Sequence, residues 1–435
     1  MSYPALARPD FPSPARARYA LLALSILGFF LSMDITLTTL LIEPMKRDMS
    51  LTDLQVGLLQ GTAFGLALGI ASIPSGRLID RKVRMRLLFW GLVSWIIAMI
   101  VTGLAPNFLS LVVGRVVMGA NAALLVPAAF SLAADLYPPE RRSVATSLLV
   151  VGQATGQGIG ILAGGLAFDA LTRWHDVDPG LLFGLPPWRL LYLGAAILGV
   201  AILLLLTPVR EPARQEQQDR SGKTSVALRE LWQYRGFLLP LIIALLLSQV
   251  TIQAASVWAT PMLIRNYHLS PGQFAGWLSA VLLIGGIAGA AGSGWLGKLG
   301  QRRGGRAGVL VPAVVAALAI APLSLFGMAP GVPIFAVMLT AHIFAGAVVA
   351  TLGVIAITLN IPNEVRGLAL GTNTLLTAIF AGATAPPLIA LVSASLGGES
   401  QLGIAIAALC VPCAIGAALF FYQAIRFFRR TGAHA

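Results

Sequence analysis

Asp34 and Arg115 are charged side chains set in apolar sequence, FFLSMDITLT and LVVGRVVMGA. Among 17 acids and 30 bases they are the two that fall inside long apolar runs. A charge at the centre of a membrane-spanning helix costs about 2.5–3.5 kcal/mol on insertion scales, so such a residue is a functional-site hypothesis by default. An aspartate there can take up and release a proton as its surroundings alternate, because burial raises a carboxyl pKa and a nearby arginine lowers it. The arginine can hold an anionic group of a solute. Each is the other's obvious partner, and the competing reading is an ion pair that only fixes helix packing. Uncharged polar residues extend the set: Asn121, Gln153, Gln157, Gln249, Gln253 (one turn from Gln249), His342 and Asn373 all lie in apolar surroundings. They supply hydrogen bonds to a proton or solute, or, more simply, to a neighbouring helix. A site with so few charges disfavours a nucleotide or citrate and suits an amphipathic, weakly anionic or neutral solute.

Other chemistries find no support. Cys410 and Cys413 form a lone C-x-x-C in apolar sequence without a second ligand pair, so they read as small buried residues. There is no H-E-x-x-H, G-x-S-x-G or P-loop pattern, and the acids are scattered in loops. No metal, no cofactor and no enzyme activity is expected.

The elements that position these residues follow from composition. The chain is 57% hydrophobic and 11% charged, where a soluble domain carries about 25% charged residues. Lipid cannot satisfy free backbone groups, so the apolar runs must be helices. Twelve spans are predicted, at about 19–41, 55–75, 87–104, 108–133, 143–168, 188–206, 237–264, 273–297, 307–327, 333–359, 368–396 and 402–422. The expected class is an all-α membrane protein of two six-helix bundles, 19–207 and 237–424, with a cytoplasmic linker over 208–236 and cytoplasmic tails at 1–18 and 425–435. The segment Thr224–Tyr234 is expected to form a short surface helix. Residues 1–18 are polar, and the first apolar run is too long for a signal-peptide core, so no cleaved leader is expected.

The net charge of +13 raises the question of a nucleic-acid partner, and its distribution answers it. With both termini inside, the inner loops take all but six of the Lys and Arg residues. Lys46, Arg47, Arg173, Arg189 and Arg265 fall outside, and Arg115 falls within a span. This is the positive-inside bias of membrane loops, so the expected partners are the bilayer, a small solute and a coupling proton, with no nucleic acid.

Loop motifs repeat between the halves. Pro138-Pro139-Glu140-Arg141-Arg142-Ser143 and Pro362-Asn363-Glu364-Val365-Arg366-Gly367 both read P-x-E-x-R followed by a small residue, 224 positions apart. Gly76-Arg77-Leu78-Ile79-Asp80 and Gly294-Trp295-Leu296-Gly297-Lys298 share G-x-L at an offset of 218. Parallel halves related by an axis along the membrane normal are a transporter architecture. Two glycine ridges, Gly57, Gly61, Gly65, Gly69 and Gly152, Gly156, Gly160, Gly164, have i, i+4 spacing. Such ridges let helix backbones touch, and sliding contacts between the halves are expected to use them.

The stretch Gly76 to Arg84 (GRLIDRKVR) resembles the G-x-L-x-D-R-x-G-R loop signature of the major facilitator superfamily, with Val83 in place of the second glycine. The resemblance implies a cytoplasmic latch that breaks as the halves rock. Asp80 is expected among Arg81, Arg84 and Arg142, with Gly76, Glu140, Glu364 and Arg366 at the same gate. Gly156 to Gly165 resembles the superfamily's antiporter signature, with Ile161 at its proline position.

Met33-Asp34, Leu41–Asp48 (LIEPMKRD), Leu51–Leu59 (LTDLQVGLL) and the W-x-x-P-x-x-x-R set Trp258, Pro261, Arg265 resemble the bacterial spinster-like branch. Arg210-Glu211-Pro212 is a wider superfamily habit. Ile35 stands where the branch has an arginine, and Ala122 where it has a glutamate. The branch implies export of lysolipid-like molecules, and its fold implies that the helices bearing Asp34 and Arg115 line one cavity. The expected function is proton-coupled secondary transport by a monomer, by alternating access, with export of lysolipid-like or drug-like solutes. The alternatives are uptake of an organic acid by symport and a non-transporting receptor.

Overall fold

The computed structural model describes residues 11–180, 184–214 and 224–431. Among them are twelve helices long and apolar enough to cross a membrane. The first six are α1 (Pro14–Asp48), α2 (Asp53–Arg81), α3 (Arg84–Gly103), α4 (Phe108–Leu136), α5 (Pro139–Val177) and α6 (Pro187–Leu206). A short helix, Thr224–Gln233, precedes α7 (Arg235–Asn266), α8 (Pro271–Gly304), α9 (Arg306–Met328), α10 (Val332–Asn360), α11 (Val365–Ser395) and α12 (Glu399–Phe428). The tail residues 1–10 and 432–435 and the linker residues 215–223 lie outside the described residues. The all-α, twelve-span plan is the one read from the sequence. Several helices run one or two turns past the apolar spans, because hydropathy marks the part of a helix that needs lipid, not where its hydrogen bonds stop.

Within the first half α1 packs along α5, and within the second α7 packs along α12. Two seams join the halves, α2 against α11 and α5 against α8. The glycine ridges explain the close approach, but they divide the work differently from the expectation. In α2 the ridge does face the other half: a Cβ at Gly57 would lie 2.6 Å from Pro387 Cα, and one at Gly65 would lie 2.9 Å from Ala383 N. In α5 the ridge packs within its own half, on α1, where a Cβ at Gly156 would lie 2.2 Å from Phe29 O and one at Gly152 2.5 Å from Ser25 O. The α5–α8 seam uses a different face of α5. There Gly158 meets Leu283 and Gly165 meets Ala275 and Pro271.

The duplication reaches the backbone. Ser50 (φ 52°) and His268 (φ 54°) are the two non-glycine residues with positive φ among those described, and they are 218 positions apart. Capping boxes follow both, Thr52 with Gln55 before α2 and Ser270 with Gln273 before α8. Each box satisfies two backbone N–H groups at the helix start. The seam between α2 and α11 also carries a π-helical turn on each side, Leu58–Ala63 and Thr377–Gly382. The two meet where Thr62 Oγ1 donates to Ala383 O at 2.7 Å.

Candidate functional site

A cavity of ≈310 Å³ lies between the halves. The first half contributes Thr36 and Thr39 from α1 and Gln157 and Ile161 from α5. The second contributes Gln249, Ser256 and Thr260 from α7, Leu278 and Leu282 from α8, and Leu339 and His342 from α10. No charged side chain lines it among the described residues. His342 is buried with Nε2 3.2 Å from Thr251 O, while Nδ1 has no partner. Its ring packs edge-on against Phe326, centroids 5.8 Å apart. The arrangement offers amide and hydroxyl hydrogen bonds in an apolar chamber, the chemistry that orients a largely apolar ligand through a few polar contacts.

Of the polar residues singled out in the sequence, Gln157, Gln249 and His342 share this chamber. Asn121 instead ties α4 to α3 and to its own helix, donating to Ser94 Oγ and Val117 O, each at 3.0 Å. Gln153 fills a narrow gap beside Gly28 and α4. Gln253 lies against Gly382 of α11, and the buried Oδ1 of Asn373 has no partner. Thr36, Thr39, Ser256 and Thr260 were not anticipated, although their i, i+3 and i, i+4 spacing puts each pair on one helix face.

Asp34 and Arg115 do not meet across the cavity, contrary to expectation. Asp34 is fully buried; its Oδ2 accepts a hydrogen bond from Trp95 Nε1 at 3.1 Å and its Oδ1 has no partner. Arg115 Nη2 donates to Gln60 Oε1 at 3.1 Å, and the guanidinium sits 5.7 Å from the centre of the Phe64 ring. No salt bridge joins the two. The reason is helical phase. At about 100° per residue, turning Thr36 and Thr39 to the cavity rotates Asp34 into the interior of the first bundle. An amide and an aromatic face then serve Arg115 where a carboxylate was expected. A second link fastens this region: Tyr192 Oη donates to Thr38 Oγ1 at 2.5 Å, and Thr38 Oγ1 donates to Asp34 O at 3.0 Å. Trp95 and Tyr192 carry a signal the sequence reading did not use, since buried Trp and Tyr need partners for N–H and O–H.

At the ends of the helices away from the basic loops, five charges bind the halves together. Arg265 of α7 forks onto Asp53 of α2, Nη1 to Oδ2 and Nη2 to Oδ1, both at 2.8 Å. It also donates to Glu43 of α1 from Nε at 2.9 Å and Nη2 at 2.8 Å. Lys46 adds a 2.6 Å bond to Asp53 and a bond to Glu399 of α12. The Arg265 side chain is 10% exposed and that of Glu43 5%. Removing one partner from so buried a cluster would strand the rest, at about 3–5 kcal/mol. On the α5–α8 seam at the same end, Ser270 Oγ donates to Asp169 Oδ2 at 2.8 Å.

The basic end is built differently. Arg84 does not join Asp80. It donates to Asp135 at 2.5 Å and Glu211 at 2.8 Å, and Glu211 also accepts from Met85 N at 2.9 Å. All of these belong to the first half and the start of the linker. Arg214 caps the end of α2, donating to Ile79 O and Lys82 O at 2.8 Å and also to Asp80 O. The arginines of the repeated loop motif have matching roles: Arg142 donates to Tyr137 O at 3.4 Å and Arg366 to Ile361 O at 3.1 Å, each capping the preceding helix. Glu140 and Arg81 are exposed, and the Glu364 side chain lies outside the described residues. A Cβ at Gly76, Gly367 or Gly371 would meet nothing within 4 Å. The α2–α11 seam, close-packed from Gly57 to Gly69, has therefore opened by this point.

The family model described as Major Facilitator Superfamily matches residues 23–386. The chain belongs to this superfamily. It is thus a multi-pass membrane protein of a transporter superfamily, a class that is not catalytic. Among curated relatives, the multidrug resistance protein MdtG of Proteus mirabilis is 28% identical over 250 residues, 56% of this chain and 57% of that one. The multidrug export protein EmrB of Escherichia coli is 26% identical over 208 residues, 48% of this chain and 38% of that one. The chain thus matches less than two thirds of either relative's length. Among solved structures, a bacterial homologue of the human lysosomal transporter Spinster, inward-facing and occupied, superposes with a TM-score of 0.79 at 21% identity, covering 97% of this chain and 98% of that one. The fold is shared with that protein.

In superfamily terms, the loop signature Gly76–Arg84 is present, but its last arginine serves the interior of one bundle. The residues that hold the halves together were visible in the sequence only as branch-like motif letters, Glu43, Lys46, Asp53 and Arg265. Glu399 had no signal at all.

Proposed function

We propose that this protein is a proton-coupled secondary transporter of the spinster-like branch that exports amphipathic, lysolipid-like or drug-like solutes by alternating access. The observation that carries the reading is the uncharged chamber between the halves, lined by Thr36, Gln157, Gln249, Ser256, Thr260 and His342. With no cation on its wall, it suits an apolar body with a few hydrogen-bonding groups better than an organic acid, so the uptake-symport alternative has less support. The names of the curated relatives, a multidrug resistance protein and a multidrug export protein, point the same way.

On this reading the basic loops face the cytoplasm of a bacterial inner membrane with both termini, the Glu43–Lys46–Asp53–Arg265–Glu399 cluster is the closed outer gate, and the monomer is the working unit. Rocking about the two seams separates the cluster and closes the basic end. Asp34 carries the coupling proton. It is fully buried in the interior of the first bundle, and on this reading its free Oδ1 takes the proton.

Purified protein in proteoliposomes with an imposed proton gradient tests this. Lysophosphatidylethanolamine and ethidium should move with the gradient, citrate should not, and the paired variant Gln249→Ala with His342→Ala should lose the movement. Gradient-driven citrate flux without flux of either amphiphile would overturn the reading.

A further inference from the structure

Helix α2 meets two different partners at its π turn, Leu58–Ala63. One face belongs to the seam: Gly57, Gly61 and Gly65 lie against α11, and Thr62 Oγ1 donates to Ala383 O. The other face turns into the first bundle and holds Arg115. Gln60 Oε1 accepts from Arg115 Nη2 at 3.1 Å, and the Phe64 ring, one turn on, has its centre 5.7 Å from the guanidinium. Helix α4 is seated closely there, since a Cβ at Gly119 would lie 2.3 Å from Phe64 O. π turns inside α-helices recur at functional sites.

The bonding around Arg115 is unusual for a buried cation. The residue is 4% exposed, and its acceptors are the Gln60 amide oxygen and the Met118 sulfur, the latter 3.8 Å from Nη1. Buried charges are ordinarily paired with opposite ones. Two further buried atoms of opposite sense have no partner, Asp34 Oδ1 and Gln60 Nε2. Asp34 belongs to the same region. Trp95 of α3 donates to it, and three residues further along α3 the helix touches α4 beside Arg115, where a Cβ at Gly114 would lie 3.2 Å from Ala98 O. The titratable groups coupled by charge to Asp34 are Arg115 of α4 and Tyr192 of α6. Helix α5 faces the neighbouring Met33 and Thr36 with Gly160, which carries no charge. A protonated Asp34 accounts for the pattern: a neutral carboxyl needs no cation, so the guanidinium rests on α2.

We infer that Gln60 is a positioning residue that ties the charge on Asp34 to the seam between the halves. The inference rests on the reading of Asp34 as the proton carrier. While Asp34 holds the proton, Arg115 stays on Gln60 and Phe64 and keeps the π turn seated. When the proton leaves to water, the carboxylate is a buried unpaired charge, which is strongly disfavoured until a cation reaches it. Arg115 then exchanges the amide for Asp34. Gln60 gives up its hydrogen bond, and the turn that carries Gly61 and Thr62 is free to shift against α11. Asp34 and Gln60 thus compete for one guanidinium, and the outcome sets how α2 sits on the other half.

The test is the distance between spin labels at Gly76 of α2 and Gly371 of α11, two positions with open space for a side chain. It is followed across pH by pulsed electron resonance in the full chain in lipid nanodiscs, with Cys410→Ala and Cys413→Ala so that only the labelled sites react. The distance should shift as the buffer is made alkaline, and Asp34→Asn should abolish the shift. Gln60→Met keeps the length of the side chain and removes both of its hydrogen-bonding groups. It should abolish the shift as well, with Asp34 intact. Gln60→Glu should do the same by holding Arg115 on α2 in a salt bridge at either extreme. A shift that survives Gln60→Met but not Asp34→Asn would overturn this inference and leave the proton reading standing. A shift that survives Asp34→Asn would remove both, and a distance that ignores pH in the parent chain would overturn the inference. Should Gln60→Met fail to insert, Gln60→Glu decides: it keeps the contact that packing needs, so a purely structural glutamine predicts an undiminished shift.

Discussion

The two halves share a scaffold down to a pair of left-handed residues 218 positions apart, yet they place charge in opposite ways. The first half keeps Asp34 and Arg115 in its interior and buries Arg84 against Asp135 and Glu211. The second has no carboxylate between residues 231 and 363, and its one buried titratable side chain at the cavity is His342. Duplication fixed where helices start and turn, and it left each half free to specialise. One became the place where ions are held inside protein. The other supplies Gln249, Ser256, Thr260 and His342 to the chamber and, apart from Arg265 in the ionic cluster, leaves cations such as Lys298, Arg302 and Arg306 exposed.

The sharpest way to break this contrast is to remove a cation from each half. Arg84→Ala leaves Asp135 and Glu211 facing each other in a site where the arginine side chain is 3% exposed. Its expected cost is about 3 kcal/mol, seen as a large fall in thermal midpoint in detergent. Lys298→Ala, at a related loop of the second half, should change stability by no more than about 0.5 kcal/mol. Equal losses would mean the halves do not differ as described.

Asp34→Asn is next. The side chain keeps its shape and its bond to Trp95, so stability should shift by only about 1 kcal/mol. Solute movement in proteoliposomes should lose its dependence on the pH difference while still following a solute gradient. Retention of pH-driven accumulation would take Asp34 out of the coupling. On the other side, His342→Phe keeps the packing against Phe326 and removes the free ring nitrogen. It should weaken binding of a transported amphiphile by about three- to tenfold, the loss of one hydrogen bond, without altering the response to pH.

The smallest expected effect tests what the halves have in common. Ser50 and His268 both adopt a backbone conformation that costs an L-residue about 1–2 kcal/mol. Ser50→Gly and His268→Gly should each relieve part of that strain and raise the thermal midpoint slightly, and the two gains should add. A gain at one position only would show that the matching backbone is held by different forces.

The fold was readable because lipid restricts the options: long apolar runs must be helices, and the excess of basic residues in alternate loops counts them correctly. Motif spacing revealed the duplication. The site was less readable because membrane helices are apolar all round, so the sequence does not say which face looks inward. Asp34 illustrates this. Its rarity marked it, but the rotation that turns Thr36 and Thr39 to the cavity was signalled only by that single i, i+3 pair of hydroxyls. Gln157, Gln249 and His342 reached the chamber, while Asn121, equally conspicuous, serves a helix contact with Ser94. The α5 glycines showed that backbones touch there without showing that the partner is α1. Arg265 and its acids sit at helix ends, where charge is ordinary, and only their convergence from α1, α2, α7 and α12 gives them meaning.

The facing π turns of α2 and α11 set a lever ratio. From Asp53 to Gly57 the outer arm of α2 is five residues, and from Phe64 to Arg81 the inner arm is 18, about 7.5 Å against 27 Å at the rise of a helix. A pivot placed between them magnifies motion about fourfold from one face of the membrane to the other. A small shift at the ionic end would then carry the loop bearing Gly76 through an arc about four times as large. Paired spin labels at the two extremities of α2 and α11 would read that ratio directly.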